Sequence, residues 1–267
     1  MGKITQEQKN RYFEKVKEHR QTIEAGLAKE KTLVDLLSRD ETGLAYKRLH
    51  LAEEVLDLSS WYVLVNTLSV ALLGIKNEDY LIEGRKTLVR ALKYIEDTVP
   101  AYLDVPFSDY EKSLDEIKDF SVEERARLFR KIGFAIQSFE DAFGENSKYS
   151  WSFNELWGKF GALAKNFIDL RVVVADLDFA SPNRPIISAH LAVVKQVFQR
   201  CADRYREKYE QNTNKPADFR TAIGYLAALR RLNVALGDRE EAENLKRKIE
   251  VWNSKLEADE KRTETTR

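Results

Sequence analysis

The chain holds one cysteine, Cys201, in 267 residues. No intramolecular disulfide and no thiolate metal cluster can be built from it, and a reducing, cytoplasmic setting is expected. An excess of one charge is also missing: 44 basic and 44 acidic residues give a formal net charge of zero. That balance removes the electrostatic drive behind nucleic-acid binding and attachment to anionic membranes, so neither partner is expected. The longest apolar stretch, Trp61 to Ile75, is interrupted by Asn66, Thr67 and Ser69 and falls short of the roughly 20 residues of a membrane span. It reads as a central helix with neighbours on each face of a soluble bundle. Met1 to Asn10 lack the apolar region of a secretory signal, and Gln6 stands where myristoylation at Gly2 needs Ser or Thr. No P-loop, dinucleotide glycine fingerprint, Ser-His-Asp order or Glu-x-x-His pair occurs, so no catalytic residue and no cofactor is assigned.

Apolar residues make up 43% of the chain, ample for a continuous core. The five prolines fall where helices start or stop: Pro100 and Pro106, Pro182 and Pro185, and Pro216. Thr5-x-x-Gln8 and Ser121-x-x-Glu124 read as capping boxes, Asn77 precedes an acidic first turn, and Gly237-Asp238 reads as a C′ glycine followed by a new N-cap. Between these marks apolar residues recur at helical spacing, as in Phe153, Leu156, Trp157, Phe160, Leu163, Ala164 and Phe167. The spacing predicts helices near 5–40, 44–75, 78–98, 108–119, 122–144, 151–179, 184–211, 216–236 and 238–259. Consecutive β-branched Val172 to Val174 also fit a strand, but no partner of that character exists, and the segment 171–178 is read as the end of a long helix. Mid-helix glycines such as Gly84, Gly158 and Gly161 point to close helix packing.

The expected fold is all-α, an antiparallel helix-hairpin bundle or an irregular α-solenoid of about nine helices. Residues 1–42 form a charged helical arm, 43–259 a single body with a possible sub-boundary near 100–121, and 260–267 a disordered tail. In the arm, Phe13, Val16, Arg20, Ile23, Leu27, Glu30, Val34 and Leu37 follow a 3-4 spacing, a narrow seam that packs on the body or pairs with another chain.

Leu226 and Leu229, the turn Leu236-Gly237-Asp238, and Ala242 five residues after Gly237 together resemble a tetratricopeptide-repeat (TPR) helix pair, although Lys246 stands where that family prefers an aromatic. Gly84, Leu88 and Ala91, after the Asn77 turn, follow the same small-large-small pattern of a second TPR helix. The resemblance covers about 77–91 and 226–249, and it implies a TPR-like scaffold that binds a protein or peptide segment and performs no chemistry.

An alternative starts from His50, Glu54 and Asp57, one helix face with Glu53 adjacent, which suits a divalent metal if facing helices add carboxylates. Glu54-Val-Leu-Asp57 also resembles the second half of the MazG-type pyrophosphohydrolase motif, whose upstream Glu-Glu-x-x-Glu is missing from residues 20–42. This gives a metal-dependent helical-bundle hydrolase or metal-binding protein as the second reading. Asp176-Leu177-Asp178 resembles the first motif of haloacid-dehalogenase-type phosphatases, but Phe179-Ala180 follows where Gly-Thr is required. Cys201 lies on an apolar stripe as a small core residue, with His190 three turns away. Among the aromatics, Phe153, Trp157 and Phe160 share the core face. Tyr149, Trp151, Tyr205 and Tyr209 are left as candidates for partner binding.

Overall fold

The structure is a computed structural model that describes residues 4–103, 106–144, 147–171, 173 and 181–265. Among the described residues the fold is all-α, without strands. Its helices are α1 (Gln6–Leu37), α2 (Leu44–Leu73), α3 (Glu78–Glu96), α4 (Glu111–Glu116), α5 (Val122–Phe143), α6 (Ser150–Asn166), α7 (Arg184–Lys208), α8 (Pro216–Ala235) and α9 (Arg239–Thr265).

Both capping boxes form: the Thr5 hydroxyl accepts from the Gln8 N–H and the Ser121 hydroxyl from the Glu124 N–H, each with the reciprocal bond from the N3 side chain. Asn77 caps α3 through the N–H of Tyr80. Proline lies in the first turn of α7 and of α8, where its missing N–H is an orphan in any case.

The helix expected over 151–179 is shorter. It stops at Asn166, where the buried side-chain amide donates to the carbonyl of Tyr102 at 3.1 Å. Asp169 then accepts from the N–H of Arg171 and caps a helical turn that begins at Leu170. Apart from Arg171 and Val173, the valine run and Asp176-Leu177-Asp178 lie outside the described residues. At the other end of the chain α9 runs through Thr265, past the point where the sequence reading begins its tail.

The chain divides into two compact units, Met1–Pro100 with Lys112–Leu156, and Ala101–Glu111 with Trp157–Arg267. In the first unit α2 packs against α1, α3 and α5. By length and composition α2 is apolar enough to cross a membrane; 44% of its most apolar window is buried, and Leu51, Ala52, Val55 and Val65 of this helix lie in the core. Gly84 of α3 is required by closeness: a Cβ there would lie 2.6 Å from both the Phe139 ring and Cβ of Tyr62. The arm α1 lies on α2 through one stripe, Tyr12, Val16, Ile23 and Glu30, with the His19 ring on Trp61 and Leu58 against Gly26. Only one row of the 3-4 seam turns inward; Phe13, Leu27 and Val34 face solvent. A single helix-on-helix contact uses a 3.6-residue stripe, and this is the intramolecular option.

The second unit is built on α7, α8 and α9, with the end of α6 supplying Phe160 and Leu163 to the core and Phe167 following just past it. α7 unwinds into a π-helical turn at Tyr209–Thr213, ended by Asn214 at φ 48°. A stack of Tyr209, Phe219 and Trp252 joins this turn to α8 and α9.

Candidate binding site

On α8 the positions Leu226, Leu229 and Asn233 follow one another at helical spacing on the buried face, so an asparagine occupies a place the pattern reserves for an apolar residue. Asn233 is 0% exposed, and neither its Nδ2 nor its Oδ1 has a hydrogen-bond partner. A buried polar group left unpaired costs about 1–3 kcal/mol. Its main chain, by contrast, is fully used. Gly237, at φ 77°, ends α8 in a Schellman turn in which the Asp238 N–H donates to the Asn233 carbonyl at 2.9 Å and the Gly237 N–H to Val234 at 3.1 Å. The turn delivers Asp238 and the first turn of α9 beside Asn233, and Asp238 caps α9 through the N–H of Glu241.

Around the asparagine lies a cleft of about 520 Å³. Helix α7 gives it Lys195, Gln196 and Gln199; α8 gives Leu229 and Asn233; Asp238, Glu240, Glu241 and Asn244 complete it. Lys195 is 3.4 Å from Asp238 and Gln199 donates to Asp203, while Glu240 and Glu241 make no ion pair among the described residues. Three carboxylates thus face one ammonium group. The lining holds neither a nucleophile with a base nor a set of metal ligands, so the arrangement suits recognition by hydrogen bonds and charge.

A model of the TP0443 family matches residues 8–260, which takes in both units and the whole cleft. The chain belongs to the TP0443 family. No curated protein and no solved structure matches it.

Elsewhere in this TP0443-family chain, His50, Glu54 and Asp57 do share one face, with His50 3.7 Å from Glu54. The neighbouring helices bring cations to it: Lys29 of α1 lies 2.6 Å from Glu54, and Lys131 of α5 lies 3.8 Å from Asp57 and 3.9 Å from Glu53. Among the described residues no three His, Cys, Asp or Glu side chains gather as a metal site. Ammonium groups occupy the places that further carboxylates would need.

The aromatic candidates separate. Trp151 is 37% exposed. Tyr149 is half-buried, with Arg85 and Lys148 over its ring and Phe143 beside it. Tyr205 is half-buried, stacked on Tyr225. Tyr209 is a correction to the expected exposure: it is 5% exposed, its ring lies parallel to Phe219 at 4.8 Å, and its hydroxyl donates to Asp259. Burial and then that carboxylate push the Tyr209 phenol up to about 12. Cys201 is fully buried, and His190 is engaged with the carbonyl of Ala164 at 2.8 Å.

Sequence reasoning passed over Asn233, Lys195 and Gln199. The available signal was a polar residue set in the apolar stripe of α8, four residues before a Gly-Asp turn.

Proposed function

We propose that this TP0443-family chain is a noncatalytic helical adaptor, TPR-like in its α8–α9 hairpin, which binds a segment of another protein in the cleft of its second unit. One observation carries the reading: a polar cleft lined by a fully buried side chain, Asn233, that holds an unused donor and an unused acceptor. The α8–α9 hairpin adds support, since Ala242 is buried at the position where the TPR pattern asks for a small packing residue. Evenly mixed charge favours a protein partner over a nucleic acid or a lipid surface, and a single, buried cysteine, Cys201, suits a reducing cytoplasm.

The test uses the full chain with Asn244→Trp, an exposed position on α9 that lines the cleft. Affinity capture with the unaltered protein should enrich one defined protein, Asn244→Trp should lose it, and the control Glu7→Gln on α1 should keep it. Equal enrichment by Asn244→Trp, or no protein enriched over bare matrix, overturns the proposal.

A further inference from the structure

We infer that the occupant of the cleft is an extended peptide segment bearing a lysine or arginine, its main-chain amide paired with Asn233 and its cationic side chain set against Glu240 and Glu241. This deepens the adaptor reading and rests on it.

A primary carboxamide offers an N–H donor and a carbonyl acceptor side by side. An extended peptide residue points its own N–H and C=O to the same side, which is how antiparallel strands exchange two hydrogen bonds between one pair of residues. The two are complementary, and both orphan atoms of Asn233 are satisfied at once. A metal ion would use the oxygen and leave the NH2 group unpaired. An inorganic anion would meet Asp238, Glu240 and Glu241 with only Lys195 to oppose them, and Lys195 is already held by Asp238. An apolar ligand would leave the carboxamide as it is.

Charge selects the side chain. Glu240 and Glu241 are exposed in the first turn of α9, beside the cleft and without ion pairs among the described residues, so a cation reaching them loses little hydration and displaces no existing partner. A volume of about 520 Å³ falls within the usual range for ligand sites, roughly 300–1,000 Å³. The carboxamide has no solvent-accessible area, and two long side chains, Lys195 and Gln199, share the cleft with it. Rotation of those side chains is the movement that admits the peptide.

The experiment is a titration of the isotope-labelled full chain, followed by nuclear magnetic resonance, with acetyl-Gly-Lys-Gly-amide, acetyl-Gly-Glu-Gly-amide and acetyl-Gly-Gly-Gly-amide. The lysine peptide should shift the Asn233 side-chain amide and the main-chain amides of 238–244 saturably. The triglycine peptide should bind several-fold more weakly and the glutamate peptide about tenfold more weakly or not at all. Asn233→Leu should abolish the shifts, and the exposed pair Glu240→Gln with Glu241→Gln should reduce the lysine peptide to the level of triglycine. Should Asn233→Leu disturb the fold, the glutamate pair carries the test by itself. No saturable shift at 238–244, equal binding of lysine and glutamate peptides, or undiminished binding by the glutamine pair overturns the inference. If a protein is captured and then lost in Asn244→Trp while the tripeptides give no shift, the adaptor reading stands and the basic-peptide chemistry falls.

Discussion

Each unit buries a polar group on a helix face that is otherwise apolar, and the two are treated in opposite ways. In the first unit Glu30 of α1 is 8% exposed and completely engaged. Arg90 of α3 grips it with two bonds of 2.9 Å, and the Tyr94 hydroxyl donates a third at 3.0 Å. In the second unit the Asn233 side chain has no hydrogen-bond partner. A buried charge cannot be left bare, because stranding it costs several kcal/mol, whereas a neutral carboxamide can be held in reserve at a smaller cost. The first arrangement fastens a helix; the second keeps a site ready for an occupant. Burial and then the Glu30 bond push the Tyr94 phenol up to about 12, as expected for a hydroxyl locked against a carboxylate.

The largest effect expected from breaking this contrast is in the first unit. Arg90→Leu strands Glu30 and should cost about 3 kcal/mol, the low end for a buried pair because Arg90 itself is partly exposed. It is read as a fall in the urea midpoint of the full chain, with earlier hydrogen exchange in α1. Adding Glu30→Leu should return most of the loss, since two apolar side chains replace the pair without an uncompensated charge. A single-variant loss below about 1 kcal/mol would mean that Tyr94 and water sustain the carboxylate unaided.

In the second unit the sign reverses. Asn233→Leu replaces two unpaired polar atoms by methyl groups in a side chain of the same branched shape and should raise stability by about 1 kcal/mol. Stabilisation combined with loss of peptide binding is the signature of a residue kept for a ligand. Destabilisation would instead make Asn233 a structural residue, served by internal water.

Most of the helical frame was legible in the chain because its signals are local. The capping boxes at Thr5 and Ser121, the Asn77 cap and the Gly237 turn each depend on residues within a few positions of one another, and all are present in the structure. The break at Asn166 was not legible, because what ends α6 is a bond to Tyr102, 64 positions away. The surroundings of His50, Glu54 and Asp57 were hidden for a similar reason: one helix displays its own carboxylates in its sequence but not the Lys29 and Lys131 that other helices bring. Tyr209 looked available until the π-helical turn laid its ring on Phe219. Asn233 was visible as an anomaly in the α8 stripe, but its lack of partners is a property of three helices together.

The smallest effect concerns Asp218, the charged counterpart of Asn233 on the same helix. It is tied to α7 by Lys208 at 2.9 Å and to the π-helical turn by the Thr213 hydroxyl at 2.7 Å. Burial pushes its carboxyl up, but the bonds from Lys208 and Thr213 outweigh that and hold it below the usual carboxylate value. A carboxyl with a depressed folded pKa contributes stability that is present above its unfolded value near ~4 and disappears as pH falls through the lower folded value. Asp218→Asn should therefore lower the unfolding midpoint at pH 7, and the gap between variant and unaltered protein should narrow steadily below pH ~4.5. Other carboxylates titrate in both proteins and largely cancel in that difference. A gap that stays constant into strong acid would assign the loss to the geometry of the π-helical turn, and the Lys208 pair would then fasten the turn by shape rather than by charge.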